Sequence, residues 1–334
     1  MAATMSGLRF HRYGGPEVLT WDEVSVPTPE PGELRVAVRA WAVNWADLLE
    51  RAGRYPGAPE PPYVTGHDLC GIVESIGDGV AQFKVGDRVF GVVPSAGAAA
   101  DFACAPAYQF YPAPERLSDA EASGAAGPYL TADVALTLYG ELKPGQSVLV
   151  HAAAGGFGSA TVQLARAMGA GLIMGTAGTA AKAERVRSFG ADIAVDYTHE
   201  DFVAAVLDAT DGRGVDLVVD SVGGDVLGRS FDVIRPPGRL VSVGASAGSS
   251  SNRFRLHTLF ETGISVSGFT LGKLLDDDPQ LVRPSVDRVL DLLGFGAISP
   301  VVDRIFDRED ARAAHEHLGG RQSVGRTVVQ IATP

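Results

Sequence analysis

The sequence is poor in cysteine and has no long apolar run, and each shortage excludes a class of protein. Its 334 residues include two cysteines, Cys70 and Cys104, so disulfides do not provide the framework of the fold and a reducing compartment is expected. No stretch approaches the roughly 20 apolar residues that span a bilayer. Residues 1–7 lack the basic and apolar segments of a secretory signal. We therefore expect a cytoplasmic protein without a membrane partner.

Positive charge is also scarce. The chain has 28 lysines and arginines against 40 acidic residues, a net charge of −12 at pH 7. This balance argues against a broad phosphate-binding surface, and we expect no nucleic-acid partner. Hydrophobic residues at 46% and charged residues at 20% are typical of a globular protein, and the length suggests about two domains.

The most informative pattern is a β-branched run, Val148 to Val150, which turns through small residues into a helical pattern from Ser159 to Met168. A strand, a glycine-rich turn and a helix in this order form the context of a dinucleotide-binding fingerprint. Glycines in the turn let the backbone approach a pyrophosphate, and the helix N-terminus attracts its charge. The predicted contacts with the cofactor in this turn are Ala154, Gly155, Gly156, Phe157 and Gly158.

The pattern of the chain changes near its middle. Up to about Ala113, short β-like runs such as Leu34 to Arg39 alternate with proline and glycine turns. From about Ala126, strands alternate with helices such as Lys182 to Phe189. Repeated β–α units predict a parallel sheet covered on both faces.

Several motifs spread over the chain carry a family resemblance. They are Tyr13 to Leu19, Val43-Asn44 with Asp47 and Arg51, Gly86 to Phe90, His151 to Gly158, Gly175 to Thr179 with Lys182, and Asp220 to Gly223. With them the chain resembles the zinc-independent, zeta-crystallin-like quinone oxidoreductases of the medium-chain dehydrogenase/reductase superfamily, almost from end to end.

The resemblance implies an α/β fold, in which a Rossmann doubly wound parallel sheet is inserted into a β-rich GroES-like catalytic domain. It divides the chain into the first part of the catalytic domain, residues 1–125, and a NADP-binding Rossmann domain, residues 126–265. Residues 266–334 then complete the Rossmann domain and return to the catalytic domain. The resemblance also implies an active site between the domains and a homodimer joined through an edge strand such as Ser265 to Gly268.

The second strand of the predicted parallel sheet bears on the choice of cofactor. NAD-specific domains usually place an acid after this strand, to bind the ribose 2′-hydroxyl. Here Leu172 to Met174 is followed by Gly175 to Gly178 without an acid, and Lys182 follows. An ammonium at that point can bind the 2′-phosphate, so we expect NADPH. By resemblance, further contacts with the cofactor come from Asn44, Gly178, Tyr197, Ser221, Gly244 and Arg321.

A catalytic zinc is the main question left by the wider superfamily. Gly66-His67-Asp68 looks like a ligand segment of zinc alcohol dehydrogenases. By resemblance, however, Asn44 occupies the position of the first cysteine ligand, and Gly127-Pro128 offers no third ligand. We therefore expect no metal, with His67 as a hydrogen-bonded histidine.

Hydride transfer to a quinone or a related conjugated carbonyl is the activity that the resemblance implies. Without zinc, hydrogen bonds must polarise the acceptor oxygen. Tyr55 matches a tyrosine that lines the site or acts as an acid in related reductases, and Asn44 matches an asparagine beside the nicotinamide. These two are the predicted catalytic residues, although Tyr55 could equally be a surface tyrosine. Trp45 could stack on an aromatic substrate or belong to the core.

Two alternatives stay open. An enoyl reductase that saturates a C=C bond in thioester or polyketide-like substrates would share the hydride chemistry. Such an enzyme would need a basic patch to bind the phosphate of a phosphopantetheine or CoA group, and Arg253 and Arg255 could form a small one. A non-catalytic NADPH-binding protein, structural or RNA-binding, is the third possibility, and the acidic charge weighs against RNA.

Overall fold

The chain folds into two units in a computed structural model, which describes residues 3–93, 95–248 and 256–331, without the side chains of Leu256 and Thr258. Arg253 and Arg255 lie outside the described residues. The first unit combines residues 1–127 with residues 299–334, and the second contains residues 128–298. The second unit is therefore an insertion in the sequence of the first.

The strands of the described residues are β1 (Thr4–Phe10), β2 (Leu19–Ser25), β3 (Glu33–Val43), β4 (Tyr63–Val64), β5 (Asp68–Ile76), β6 (Arg88–Val92), β7 (Phe102–Pro106), β8 (Phe110–Pro112), β9 (Ser147–Val150), β10 (Leu172–Ala177), β11 (Ile193–Asp196), β12 (Val215–Asp220), β13 (Ile234–Ser242), β14 (Ser265–Gly268), β15 (Val302–Asp307) and β16 (Arg326–Gln330). The α-helices are α1 (Trp45–Arg51), α2 (Asp119–Ser123), α3 (Ala126–Val134), α4 (Gly156–Ala167), α5 (Ala180–Ser188), α6 (Phe202–Ala209), α7 (Gly224–Ser230), α8 (Leu256–Thr262), α9 (Leu271–Asp277), α10 (Pro279–Phe295) and α11 (Ala311–Gly319). A π-helical turn, Ala135–Tyr139, continues α3, and 3₁₀ turns lie at Pro16–Val18, Ala107–Gln109, Phe231–Val233 and Arg308–Asp310.

The first unit is built on antiparallel sheets. In the larger one the order is β15-β16-β3-β5-β6-β8, with β7 also paired to β3, and a smaller sheet has the order β2-β1-β4. The central strand β3 alternates buried and half-buried residues over its first half, as its apolar–polar sequence predicts, and its last four residues are all buried. The fully buried Trp41 on β3 packs edge-on against Trp21. These contacts place β3 at the centre of the core.

The C-terminal segment returns to this unit. Strand β16 pairs antiparallel with β3, from Thr327 opposite Val43 to Gln330 opposite Ala40. Helix α11 contributes Ala311 and Ala314 to the same hydrophobic core. This return brings Arg326, at the start of β16, beside residues from the first third of the chain.

The second unit contains a six-stranded parallel sheet with the order β11-β10-β9-β12-β13-β14. Numbered from β9, this is the order 3-2-1-4-5-6 of a Rossmann domain, whose topological switch point lies between β9 and β12. Strands β9, β10 and β12 are mostly apolar and buried, as expected for parallel strands covered on both faces. Phe202 and Val206 of α6 pack into the same core.

The predicted elements of the second unit are found with small shifts at their ends. Helix α5 begins two residues before the predicted Lys182 and ends before Gly190, whose φ of 116° favours glycine. The helical face predicted for α6 is buried at Phe202 and Val206, with Val203 and Leu207 packed partly against the core. Within the described residues, no helix is both long and apolar enough to cross a bilayer.

Candidate functional site

The fingerprint turn connects β9 to α4 through the buried His151, three alanines and Gly155. Ala152 adopts a positive φ of 50°, and Ala153 N–H donates to Thr176 O at 2.8 Å, which joins the turn to β10. A Cβ atom on Gly158 would lie 2.3 Å from Ala152 O, so only glycine fits there. A Cβ on Gly155 would meet its nearest neighbour, Ala152 O, at 3.4 Å. Gly158 is thus required by the packing of the turn, whereas Gly155 leaves space above it.

The N-terminus of α4 carries no side-chain cap. Its N-cap residue is Gly155, whereas Ser118, Thr179 and Asp201 cap α2, α5 and α6 with side-chain oxygens. The first N–H groups of a helix have no partner within the helix, and an anion satisfies them when no side chain does. The turn therefore fits a pyrophosphate, and its five predicted residues, 154–158, lie together at the carboxyl end of β9.

The region where β10 and β11 end contains the residues predicted to bind the adenosine end of the cofactor. A Cβ on Gly178 would lie 2.7 Å from the hydroxyl of Tyr197, whose side chain is half exposed. Lys182 lies in the first turn of α5, where its N–H donates to Thr179 Oγ1. At the level of Ala177, the neighbouring strand β11 carries Asp196. The structure thus brings Gly178, Lys182 and Tyr197 to one place.

Asp196 does not replace the missing acid. Its carboxylate accepts from Thr198 N at 3.0 Å and from Thr198 Oγ1 at 2.6 Å, and it contacts His199 Nδ1 at 3.1 Å. Hydrogen bonds from Thr198 lower the pKa of Asp196, against a smaller effect of burial. The carboxylate of Asp196 is therefore engaged in hydrogen bonds with residues of the turn that follows it.

Ser221 and Gly244 meet where β12 and β13 end. A Cβ on Gly244 would lie 3.0 Å from Ser221 O, and Ser246 N–H donates to that oxygen at 3.3 Å. The buried Asp220 accepts from the N–H groups of Val222 and Gly223, both at 2.9 Å, which fixes the turn. All predicted cofactor residues of the second unit therefore lie at the carboxyl edge of one parallel sheet, where open α/β sheets bind ligands.

The first unit holds the three remaining predicted residues, Asn44, Tyr55 and Arg321. Asn44 precedes α1, and its side-chain oxygen accepts from Arg326 Nη1 at 2.9 Å. Tyr55 is partly buried, and burial together with the charge of Glu50 raises the pKa of its phenol. Arg321 follows α11 with a positive φ of 54°. Trp45 is partly buried and packs against the hydrophobic core.

Behind Asn44 lies a buried ion pair. Arg326 Nη2 donates to Asp68 Oδ2 at 2.7 Å, with side chains that are 8% and 1% exposed. Gly127 N–H donates to the other oxygen of Asp68 at 3.1 Å. Burial raises the pKa of Asp68, and Arg326 opposes this effect. The guanidinium thus links Asn44 at the start of α1 to Asp68 at the start of β5.

A second buried group joins α1 to the same turn. His67 Nε2 lies 2.8 Å from Glu50 Oε1 and 3.7 Å from Asp47 Oδ1, while its Nδ1 lies 2.9 Å from Val93 O. Burial raises the pKa of Asp47 to about 6. Burial lowers the pKa of His67, but the hydrogen bond to Glu50 and the charges of both carboxylates outweigh it and raise the pKa to about 9. His67 is hydrogen-bonded, as predicted, to the carboxylate of Glu50 and to the backbone carbonyl of Val93.

Comparison with known proteins agrees with this geometry. Residues 30–115 match the alcohol dehydrogenase GroES-like domain, and residues 156–291 match the zinc-binding dehydrogenase family. The chain is 35% identical to a 2-haloacrylate reductase from Burkholderia sp, over 96% of this chain and 97% of the relative. It is also 35% identical to a quinone oxidoreductase from Pseudomonas aeruginosa, over 96% and 98%. The crystal structure of Escherichia coli quinone oxidoreductase complexed with NADPH superposes with a TM-score of 0.90 at 32% identity, covering 97% of this chain and 99% of that one.

The chain belongs to the quinone oxidoreductase family of the medium-chain dehydrogenases and reductases. The predicted fold class, a Rossmann sheet with a GroES-like domain, is confirmed, and the chain is an oxidoreductase that uses a nicotinamide cofactor.

In this member of the quinone oxidoreductase family, the residues do not fit the zinc site of alcohol dehydrogenases. Asn44, which by resemblance occupies the position of the first ligand, accepts a hydrogen bond from Arg326 through its side-chain oxygen. Asp68, which lies beside Asn44, already forms an ion pair with the same guanidinium. Gly127 has no side chain, and a Cβ there would lie 2.6 Å from Asp68 Oδ1. Arg326 therefore supplies the positive charge at this point of the oxidoreductase.

Glu50 and Arg326 are site residues that the sequence patterns did not indicate. Asp47 and Glu50 are three residues apart on α1, a spacing that puts them on one helix face, so an acidic pair on this short helix could have been noticed. Arg326 is 258 residues from Asp68 in sequence, and only the return of the C-terminal segment pairs them.

Proposed function

We propose that this protein is an NADPH-dependent reductase that transfers hydride to a quinone or a closely related conjugated carbonyl, without a zinc ion of the alcohol dehydrogenase kind. Two relationships support the acceptor class: the similarity to a quinone oxidoreductase over nearly the whole chain, and the superposition on a quinone oxidoreductase that binds NADPH. The observation that carries the cofactor class is the turn at the start of α4, which has no side-chain cap and consists of alanine and glycine alone from residue 152 to residue 156.

The preference for NADPH over NADH rests on the end of β10. No acid follows this strand up to Thr179, and Asp196 on the neighbouring strand is engaged by Thr198. Lys182 in the first turn of α5 brings a positive charge near the helix N-terminus, and both attract a 2′-phosphate. Gly178 and the side chain of Tyr197 lie next to each other at the end of β10, beside this proposed phosphate site.

The chemistry needs little from the protein beyond position and hydrogen bonds. The bound nicotinamide supplies the hydride. Asn44 is held by Arg326 and is proposed to orient the ring, because its side-chain oxygen is fixed and cannot rotate freely. Tyr55 is proposed to donate a proton to the acceptor oxygen as negative charge develops there. Burial and the charge of Glu50 raise the pKa of this phenol, so it is protonated at neutral pH.

A second candidate is reduction of an activated C=C bond. The similarity to a 2-haloacrylate reductase favours it, because a 2-haloacrylate is an alkene conjugated to a carboxylate. Hydride addition to the β-carbon of such an acceptor is the same step that a quinone undergoes across its conjugated system. The two functions therefore differ in the shape of the acceptor rather than in the residues that move the hydride.

We further propose a homodimer joined through β14. This strand is at the edge of the parallel sheet among the described residues, and Val266 on it is 41% exposed. An exposed edge offers unpaired backbone groups to the same strand of a second copy. Light scattering after size-exclusion chromatography would show a dimer mass for the natural chain and a monomer mass for Val266→Pro.

The activity is tested by following NADPH oxidation with quinones, alkenals, 2-haloacrylates and enoyl thioesters, with NADH in parallel. Turnover of quinones with a preference for NADPH is the expected result. Turnover confined to enoyl thioesters would contradict the quinone proposal and establish the alternative. Tight NADPH binding without turnover of any acceptor would contradict both.

A further inference from the structure

We infer that Asp47, Glu50 and His67 form a binding site for a divalent transition-metal cation such as Zn²⁺, in which His67 lies in the segment that resembles an alcohol dehydrogenase ligand segment and two acids of α1 supply the other ligands. One ligand atom from each residue can be chosen so that all three lie within 4.8 Å of one another. This group is called the α1 triad below. The proposal does not depend on the proposed reductase activity.

The three ligand atoms converge because the other polar atom of each side chain is already held. His67 Nδ1 donates to Val93 O at 2.9 Å, which leaves the lone pair of Nε2 for a cation. Asp47 Oδ2 accepts from Asn44 N at 2.6 Å, and Glu50 Oε2 accepts from the hydroxyl of Tyr63 at 3.3 Å. Metal-binding histidines and carboxylates are oriented by such outer bonds, most often a histidine N–H to a backbone carbonyl.

The unbonded atom of Asp47 is a second, independent observation. Asp47 Oδ1 is buried without a hydrogen-bond partner among the described residues, and the side chain is 1% exposed. A carboxylate oxygen that has no hydrogen bond in a protein interior is costly unless a cation lies in contact with it. It lies 3.7 Å from His67 Nε2, on the side where Glu50 Oε1 also lies.

The charge count favours a metal over a proton on His67. A protonated Nε2 can donate to Glu50 Oε1, but it leaves Asp47 Oδ1 unsatisfied and gives the triad a net negative charge. A divalent cation bound to neutral His67 balances both carboxylates and occupies all three atoms. The three protein ligands leave one position of a tetrahedral site open.

The distances fit a small cation after minor adjustment. Bonds of about 2.0–2.1 Å around a tetrahedral zinc place its ligand atoms roughly 3.3–3.4 Å apart. The observed separations of 2.8 and 3.7 Å from His67 Nε2 bracket this value. His67 is 15% exposed at its side chain, so the site has access to solvent. A cation here would join α1 to the turn before β5.

The test is metal binding to the full chain without an affinity tag. After dialysis against a chelator, Zn²⁺ is titrated by calorimetry and its stoichiometry is measured by mass spectrometry of the metal, with Mg²⁺ as a competitor. We expect one Zn²⁺ per chain, retained in excess Mg²⁺. Co²⁺ in its place is expected to show the visible absorption of a low-coordinate site.

Variants locate the site. His67→Gln and Glu50→Gln each remove one ligand, and each is expected to weaken Zn²⁺ binding by more than about 100-fold. Tyr63→Phe removes only an outer bond and is expected to cost about 10-fold with the fold unchanged. The matched control is His317→Gln, because His317 forms a 2.6 Å pair with Asp303 in the same unit without belonging to the triad.

Two results would overturn the inference. The first is no stoichiometric Zn²⁺ and no Co²⁺ spectrum in the natural chain, which would leave a buried imidazolium between two carboxylates. The second is Zn²⁺ binding that is weakened equally by His317→Gln and by the triad variants. If a ligand variant does not fold, the spectrum of the natural chain and the Tyr63→Phe comparison still decide.

Discussion

Arg326 donates to Asp68 at 2.7 Å, in the interior of the unit that the two ends of the chain build together. The same guanidinium reaches Asn44 at 2.9 Å. One side chain from the last strand therefore fixes both the start of α1 and the start of β5. The predicted nicotinamide-side residue Asn44 owes its orientation to a residue at the opposite end of the sequence.

Removal of Arg326 is expected to destabilise the first unit strongly. Arg326→Gln leaves Asp68 buried without its cation, a loss of about 3–5 kcal/mol in the free energy of unfolding. Asp68→Asn leaves the guanidinium unpaired at a similar cost. The measurement is urea unfolding followed by tryptophan fluorescence, which reports this unit because Trp21, Trp41 and Trp45 all belong to it.

The double variant Arg326→Gln, Asp68→Asn is the control. It removes both charges at once, so its loss should be smaller than the sum of the single losses, with a coupling of roughly 0.5–3 kcal/mol. Strictly additive losses would mean that the pair makes no net interaction and that each residue acts through other contacts.

The glycines of the fingerprint turn predict two different kinds of damage. Gly158→Ala forces a Cβ to within 2.3 Å of Ala152 O, so it should lower stability by about 1–3 kcal/mol as well as cofactor affinity. Gly155→Ala meets no atom closer than 3.4 Å, so it should fold normally and lose cofactor affinity alone. Thermal unfolding and NADPH binding, measured on both variants, separate the effects. Normal NADPH binding by Gly155→Ala would argue against a pyrophosphate above this residue.

The sequence predicted the second unit better than the site of the first. Periodicity locates β9 and α4 because the strand is apolar and a short loop joins it to its helix. The contacts of Gly158 are also local in sequence. The triad and the Arg326–Asp68 pair depend on contacts between distant segments, which no local pattern encodes. His67 was identified in the sequence, but Glu50 was not, because an acid on a short helix is usually solvated and only its burial shows otherwise.

Lys182 is expected to discriminate between the two nicotinamide cofactors. Lys182→Ala should weaken NADPH by about 10- to 150-fold, the value of a charge-assisted hydrogen bond to phosphate. NADH has no 2′-phosphate, so its affinity should hardly change. Fluorescence titration with both cofactors measures the effect, and Arg187→Ala, an exposed cation on the same helix that pairs with Glu184, is the matched control. Equal losses of affinity for NADPH and NADH would show that Lys182 does not bind the 2′-phosphate.

Tyr55 is expected to act on the chemical step. Tyr55→Phe keeps the ring and removes the proton, so kcat should fall by about 10²- to 10⁴-fold while NADPH affinity is retained. Steady-state kinetics with the preferred acceptor give kcat and KM separately. Tyr13→Phe, which removes the hydroxyl of an exposed tyrosine bonded to Glu60, is the control. An unchanged kcat in Tyr55→Phe would show that Tyr55 does not donate a proton and serves only in packing.

The last prediction concerns acid stability and uses two buried histidines, one in each unit. Burial lowers the pKa of His315 on α11 to about 3, with a further contribution from the charge of Arg51. Burial likewise lowers the pKa of His151, in the second unit, to about 3. Both are neutral in the folded state at pH 5, whereas an unfolded histidine with a pKa of about 6.5 is mostly protonated.

The sign follows from proton binding. Between pH 6.5 and 3 the unfolded chain binds more protons at these positions, so the stability that they contribute is complete above about pH 6.5 and is lost as the pH falls. Each histidine should account for roughly 2 kcal/mol of lost stability at pH 5. His315→Leu should therefore flatten the pH dependence of the tryptophan-detected transition. His151→Leu should leave that transition unchanged, because the tryptophans lie in the other unit. If the stability of His315→Leu fell as steeply with pH as that of the natural chain, His315 would be charged in the folded state. Its buried Nδ1, which has no hydrogen-bond partner among the described residues, would then gain one in solution.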